Sequence, residues 1–439
     1  MGALRRLRAH RAAVSVLGSG VLAGLALTLS VTGSAIGAAS FPKHAPIMIS
    51  SNSDFTSPNA TTGCRCVNSG NGTTSSFVIG PWSINNANGA AVTINGGSVT
   101  ASFDLHNLVI AGNNTPNSEG VLLNDVNLPA GRVASVSGSQ TSIQTVGTGV
   151  FVDDSSNVTL DGGGANTSGP GIKSGAGVMN KNSLGAIYVK DSNRIMIRGW
   201  QLNANGADGS PDWIGFDPDP NNVRGVWNVG GVRFFDVTNS TVDHNQANND
   251  TSISYSLFDS NNDTISNNTA NYPFTTNVLI TDGSWGNQVI DNAFATGDFT
   301  GILIADPLPQ GPPYYGTGTL EQYGPTYDNS VIGNTDHSDG PTGTEKAAGQ
   351  APSFVGGIVV LNGAPFNTIE NNTVWANAGG GLVWAQAIPA STPIGVATDP
   401  PIIHCNVTVS DGGSNLANQN GNVWTGNSVQ AQDGCIPPQ

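Results

Sequence analysis

The densest chemistry in the chain is Asp208-Gly209-Ser210-Pro211-Asp212-Trp213-Ile214-Gly215-Phe216-Asp217-Pro218-Asp219-Pro220. Asp208, Asp212, Asp217 and Asp219 stand within a dozen residues on a stretch rich in glycine and proline. Such carboxylates could supply hard oxygens to calcium, or act as general acid and base with pKa values split by mutual repulsion. A solvated acidic loop has the same composition. A lyase would need a base for proton abstraction and a hydrolase two spaced carboxylates. Lys190, Arg233 and His244 are further candidates, because they stand at or beside strand-like segments and could project into a groove. Each also fits a surface charge or a corner hydrogen bond. Trp213, and Tyr314, Tyr315 and Tyr323 in a proline-rich insertion after Asp306, could stack on sugar rings. The same tyrosines could instead pack over the edge of the core.

Four cysteines are few for 439 residues, so disulfides can staple such a chain without defining its fold. Cys405 and Cys435 are expected to bridge. Cys64 and Cys66 flank a single Arg65 and could close a local ring, stay reduced or bind a soft metal.

Only 10% of residues are charged, 58 are glycine, and the polar bulk is Asn, Ser and Thr, which favours short strands and tight turns over long helices. A hydrophobic content of 38% still allows a core. The net charge of −15, with no basic stripe after the first residues, makes nucleic acid an unfavourable partner. Arg5, Arg6, Arg8 and Arg11 precede an apolar run from Val14 to Val31 and small residues around Ala35 to Ala39. This is the pattern of a secretory signal cleaved after Gly37 or Ala39, and no later segment is apolar for long enough to span a bilayer.

The elements that must position these groups come from a repeat. Asn157-Val158-Thr159-Leu160-Asp161-Gly162, Asn239-Ser240-Thr241-Val242-Asp243-His244, Asn262-Asp263-Thr264-Ile265-Ser266-Asn267 and Asn287-Gln288-Val289-Ile290-Asp291-Asn292 share one pattern, which returns at Asn329 and Asn367. Apolar partner strands such as Ala186-Ile187-Tyr188-Val189, Val232-Arg233-Phe234-Phe235 and Val278-Leu279-Ile280 stand upstream of successive copies. A period near two dozen residues is that of a solenoid, in which equivalent strands pair in parallel about 4.8 Å apart. Roughly ten turns would then form a rod of about 50 Å. The recurring Asn is expected to take a left-handed corner conformation and to bond its neighbour in the next turn.

These repeats, over roughly residues 76 to 385, resemble those of the right-handed β-helix superfamily, particularly the extracellular and periplasmic proteins grouped with the nitrous oxide reductase maturation factor. Gly70-Asn71-Gly72-Thr73, Phe77-Val78-Ile79 and Trp82-Ser83-Ile84 are similar to the first coil of those proteins. The resemblance implies an all-β, right-handed parallel β-helix with loop insertions: signal peptide 1–39, N-terminal extension and cap 40–75, β-helix 76–400, and C-terminal coil or tail 401–439. It also implies copper handling, for which soft or imidazole ligands would have to cluster; Met48, Met179 and Met196 are dispersed and the histidines isolated. Gly215-Phe216-Asp217-Pro218 is similar to part of the active-site motif of alginate C5-epimerases. Ile214 stands where that motif has Tyr and Asp219 where it has His, so Asp217 alone carries over. The superfamily holds enzymes, adhesins and scaffolds. The expectation is therefore a secreted or cell-surface protein that binds extracellular polysaccharide or cell-envelope components, or serves as a scaffold. A carbohydrate-active enzyme centred on Asp217, with calcium as a possible cofactor, is the alternative, and metal delivery the next.

Overall fold

The computed structural model describes residues 41–56, 65–85, 88–115, 118–206, 230–250, 253–273, 276–297, 300–305, 325–339, 356–361, 364–375, 377, 381–385, 403–406 and 422–430. They form a parallel β-helix with three sheets of twelve strands each. One coil shows the plan: Thr241–Asp243 lies in sheet 1, Gln246–Asn248 in sheet 2 and Ile253–Phe258 in sheet 3. Thr264–Ser266 then returns to sheet 1 and pairs in parallel with Thr241–Asp243.

The strands form because nearly every one has an apolar residue where the pleat points inward. In the three-residue strands of sheets 1 and 2 that is the central residue, as in Val242, Ala247 and Ile265. Stacked over the coils, these residues build one continuous core to which sheet 3 adds pairs such as Val232 with Phe234 and Tyr255 with Leu257. Burying each of the larger ones stabilises by roughly 1.5–3 kcal/mol. The twelve strands per sheet exceed the roughly ten turns expected, because strands flank the recognisable repeats. Lys43–His44 and Ile47–Ile49 start sheets 2 and 3 in parallel. Val67–Ser69 and Ile403–Asn406 close sheets 1 and 3 at opposite ends by antiparallel pairing.

The asparagines occupy two adjacent columns where the repeat suggested one. Asn157, Asn239 and Asn262 hold the left-handed corner, with φ of 57°, 54° and 58°. Asn287, Asn329 and Asn367 stand one place further on, in register with Asp263, and are fully buried. Each of these inward residues accepts the backbone N–H of its counterpart in the preceding coil: Asp263 N to Asn287 Oδ1 at 2.9 Å, Asn287 N to Asn329 Oδ1 at 3.1 Å, and Asn329 N to Asn367 Oδ1 at 2.9 Å. An alignment keyed on Asn alone merges the columns, because one needs a left-handed residue and the other an inward amide. A second ladder runs through Asn245, Asn268, Asn292, Asn334, Asn372 and Asn427. Among the described residues no helix is long and apolar enough to cross a membrane.

Candidate functional site

Side chains that alternate away from the core on sheet 3 form rows down the outside of the coil, fixed by register. Phe151, Tyr188 and Arg233 succeed one another in one row, and Asp153, Lys190, Phe235 and Phe258 in the next. Phe151 and Tyr188 stack with centroids 5.0 Å apart. Arg233 is 2% exposed, its guanidinium carbon 4.7 Å from the Phe258 ring centroid, 5.1 Å from Tyr188 and 6.0 Å from Phe235. Its Nε has no hydrogen-bond partner, so much of its stabilisation comes from these ring faces. Lys190 Nζ lies 2.7 Å from Asp191 and 4.0 Å from Asp153. Burial alone would lower the Lys190 pKa, but the Asp191 hydrogen bond and the two carboxylate charges outweigh it and hold the ammonium above its usual range.

At one edge of these strands, at or just before their ends, the chain turns through a left-handed aspartate. Asp125, Asp154, Asp191, Asp236, Asp259 and Asp282 take this place in six successive coils, with φ between 44° and 54°. Short polar side chains tolerate this conformation, which accounts for the column locally. Its outcome is a file of carboxylates about one strand spacing, ~4.8 Å, apart. The file grades in exposure: Asp154, Asp191 and Asp236 are exposed, Asp259 is half-buried and Asp282 buried. Protonation follows that gradient. Burial and the Asp191 charge raise the Asp236 pKa against the opposing pull of Lys190. Burial and Asp236 push Asp259 up to about 6, and burial, relieved in part by Arg233, pushes Asp282 up to about 7. One edge thus presents exposed carboxyl groups at its open end and, at its closed end, carboxyls whose pKa values burial raises toward neutrality.

Of the residues singled out in the sequence, Lys190 and Arg233 come together here, on paired strands. His244 does not join them. It holds a left-handed corner between sheets 1 and 2, with φ of 51°, and its Nδ1 lies 2.6 Å from Asp243. Asp208, Asp212, Trp213, Asp217 and Asp219, together with Tyr314, Tyr315, Tyr323 and Cys435, lie outside the described residues. Cys405 lies in the strand Ile403–Asn406. Cys66 is buried and disulfide-bonded, so it offers no thiolate to a soft metal. Among the described residues no three His, Cys, Asp or Glu side chains group as metal ligands, so the aspartates run in a line and do not converge.

The aspartate file went unread in the sequence although it is written there. Val152-Asp153-Asp154, Val189-Lys190-Asp191, Phe235-Asp236, Phe258-Asp259 and Thr281-Asp282 each place the same residue near the end of a strand of sheet 3. Comparison with known proteins finds no family model and no curated protein that matches the chain.

Proposed function

We propose that this chain is an extracellular β-helix protein that engages polysaccharide along the edge of sheet 3, and that it belongs with the right-handed β-helix superfamily its repeats resemble. The observation that carries the reading is the aspartate file beside the aromatic and cationic rows of Lys190, Arg233 and Phe235. Carboxylates accept hydrogen bonds from sugar hydroxyls, and an aromatic ring covers a pyranose face. A linear polymer repeats along its length, as this edge does. The exposed side chains for first contact are Asp154, Asp191 and Asp236, with Phe235 half-buried between them and the buried Arg233 as floor.

A second reading, glycoside hydrolysis, is favoured by the pKa gradient alone. Asp282, with its pKa near 7, keeps its proton to higher pH than Asp259, near 6, and a hydrolase needs one carboxyl as acid and one as base or nucleophile.

The test is to incubate the purified protein with uronate and neutral polysaccharides and to follow both retention on the polymer and release of products. Retention is expected. The double substitution Asp191→Asn, Asp236→Asn is expected to weaken it about a hundredfold, since hydrogen bonds to charged groups are worth roughly 1.5–3 kcal/mol each and about 1.4 kcal/mol is tenfold. No retention of the wild-type protein on any polymer would sink the proposal. Product formation abolished by Asp259→Asn would establish the hydrolase.

A further inference from the structure

The inward column of sheet 2 is apolar on both sides of one exception. Phe294 pairs in register with Asp336, and Asp336 with Val374, so the middle coil of three turns a carboxylate into the core. Asp336 is fully buried, and no N–H or hydroxyl donates to either of its carboxylate oxygens; the group it meets is the Asp339 carboxyl. Asn277 is likewise fully buried and aimed at the same place: its Nδ2 lies 3.5 Å from Asp339 Oδ1, and its Oδ1 has no partner. Asp339 belongs to the inward ladder at the corner between sheets 2 and 3, where its backbone N–H donates to Asn377 Oδ1 at 2.8 Å.

Glycines clear the space between these groups. A Cβ on Gly301 would stand 2.1 Å from Asp336 Oδ1, and one on Gly297 would stand 2.9 Å from Asp339 Oδ1. A Cβ on Gly357 would meet Asp336 Oδ2 at 2.9 Å and Asn377 Nδ2 at 2.4 Å. Side chains from several coils therefore meet in the core, packed against glycine backbone where any larger residue would clash.

We propose that this cluster is a buried binding site for a hard divalent cation, calcium by its ligand chemistry, held by the carboxylates of Asp336 and Asp339, with the Asn277 amide, whose Nδ2 now faces Asp339, turning over to add its oxygen. Two carboxylates balance the charge of one divalent ion, and carboxylate and carboxamide oxygens are the donors calcium prefers. A proton shared between the two aspartates would neutralise one charge and satisfy one oxygen, whereas Asp336 and Asn277 together leave three acceptors unmatched. Two carboxylates buried together need a counter-charge, which a divalent cation supplies. Because Asp336, Asp339 and Asn277 are all buried, the ion would enter during folding and exchange slowly afterwards. The site uses none of the residues of the sheet 3 edge, so it stands or falls independently of polysaccharide binding.

The experiment is elemental analysis of the purified full chain after dialysis against a chelator, followed by unfolding and refolding with either calcium or the chelator. One calcium per chain is expected to survive dialysis, and refolding in chelator is expected to lower Tm, with recovery when refolding is repeated in calcium. Asp336→Asn is expected to lose that one equivalent and the calcium dependence of Tm. Asn277→Ala, which keeps both carboxylates, provides the same readout if the first variant fails to fold. Absence of stoichiometric calcium together with an identical Tm in both refolding buffers would overturn the proposal. So would a variant that keeps its full equivalent, or an Asp336→Val protein more stable than the wild type in calcium.

Discussion

Replacing Asp263 by asparagine is expected to stabilise the protein by on the order of 3 kcal/mol at pH 8 and by less than about 1 kcal/mol at pH 5. Asp263 stands in the inward asparagine column and is fully buried. Its Oδ1 accepts the Ser240 N–H at 2.7 Å, as the amide oxygens do elsewhere, but its Oδ2 has no partner. In later coils the equivalent atom is an amide nitrogen that donates to a carbonyl: Asn287 Nδ2 to Ser260 O, and Asn329 Nδ2 to Ser284 O. A protonated carboxyl imitates that amide, and burial pushes the Asp263 pKa from 3.8 up to about 8. With the folded pKa above the unfolded one, the contribution of this group is fully present below about pH 4. It is lost progressively as pH rises through about 8. At 1.36 kcal/mol per pH unit the whole interval would amount to ~5–6 kcal/mol, an upper bound that relaxation of the site reduces. Denaturant midpoints of both proteins at the two pH values decide the matter: an equal gain at both would show that Asp263 does not hold a proton in the fold.

The largest loss is expected from Asn292→Ala, at about 3–5 kcal/mol. Asn292 is 1% exposed and makes four ladder contacts through its side chain. Its Oδ1 accepts the Asn268 N–H at 2.8 Å and Asn268 Nδ2 at 3.1 Å, and its Nδ2 donates to Ile265 O and to Asn334 Oδ1, each at 2.9 Å. Truncation leaves a buried backbone N–H and a carbonyl without partners, each costing ~1–3 kcal/mol, and interrupts a chain of polarised amides. Equilibrium unfolding with an unchanged m-value is the measurement. A loss below about 1 kcal/mol would mean that the ladder decorates the corner without holding it.

The parallel β-helix was legible because its signal is short range and repeated. A single inward apolar residue flanked by polar ones, as in Thr241-Val242-Asp243 and Thr264-Ile265-Ser266, recurs at a nearly constant interval. The corners were harder, since Asn262 and Asn287 are the same residue type in neighbouring places with opposite orientations, and only strand register separates them. Lys190 and Arg233 could be named in advance because a long cation in an apolar strand is unusual. The aspartates beside them were overlooked because each alone is an ordinary turn residue, and their meaning lies in stacking across coils. Asp336 was illegible for the opposite reason. Thr335-Asp336-His337 looks like any polar strand, and its inward direction follows from pairing with Phe294 and Val374.

The two reversed strands give the stack ends of mixed polarity. At the starting end, Val67–Ser69 turns the edge of sheet 1 against the direction kept by Lys43–His44 and Ile47–Ile49. At the other, Ile403–Asn406 does this to sheet 3 while Val423–Thr425 and Ser428–Gln430 keep theirs. A second molecule arriving end-on with three co-directional strands could extend two sheets in parallel but would meet the third running the wrong way. A solenoid of identical parallel units is in principle an open template for fibre growth. Among the described residues, one sheet in three at each end is thus mismatched to end-on growth of that kind.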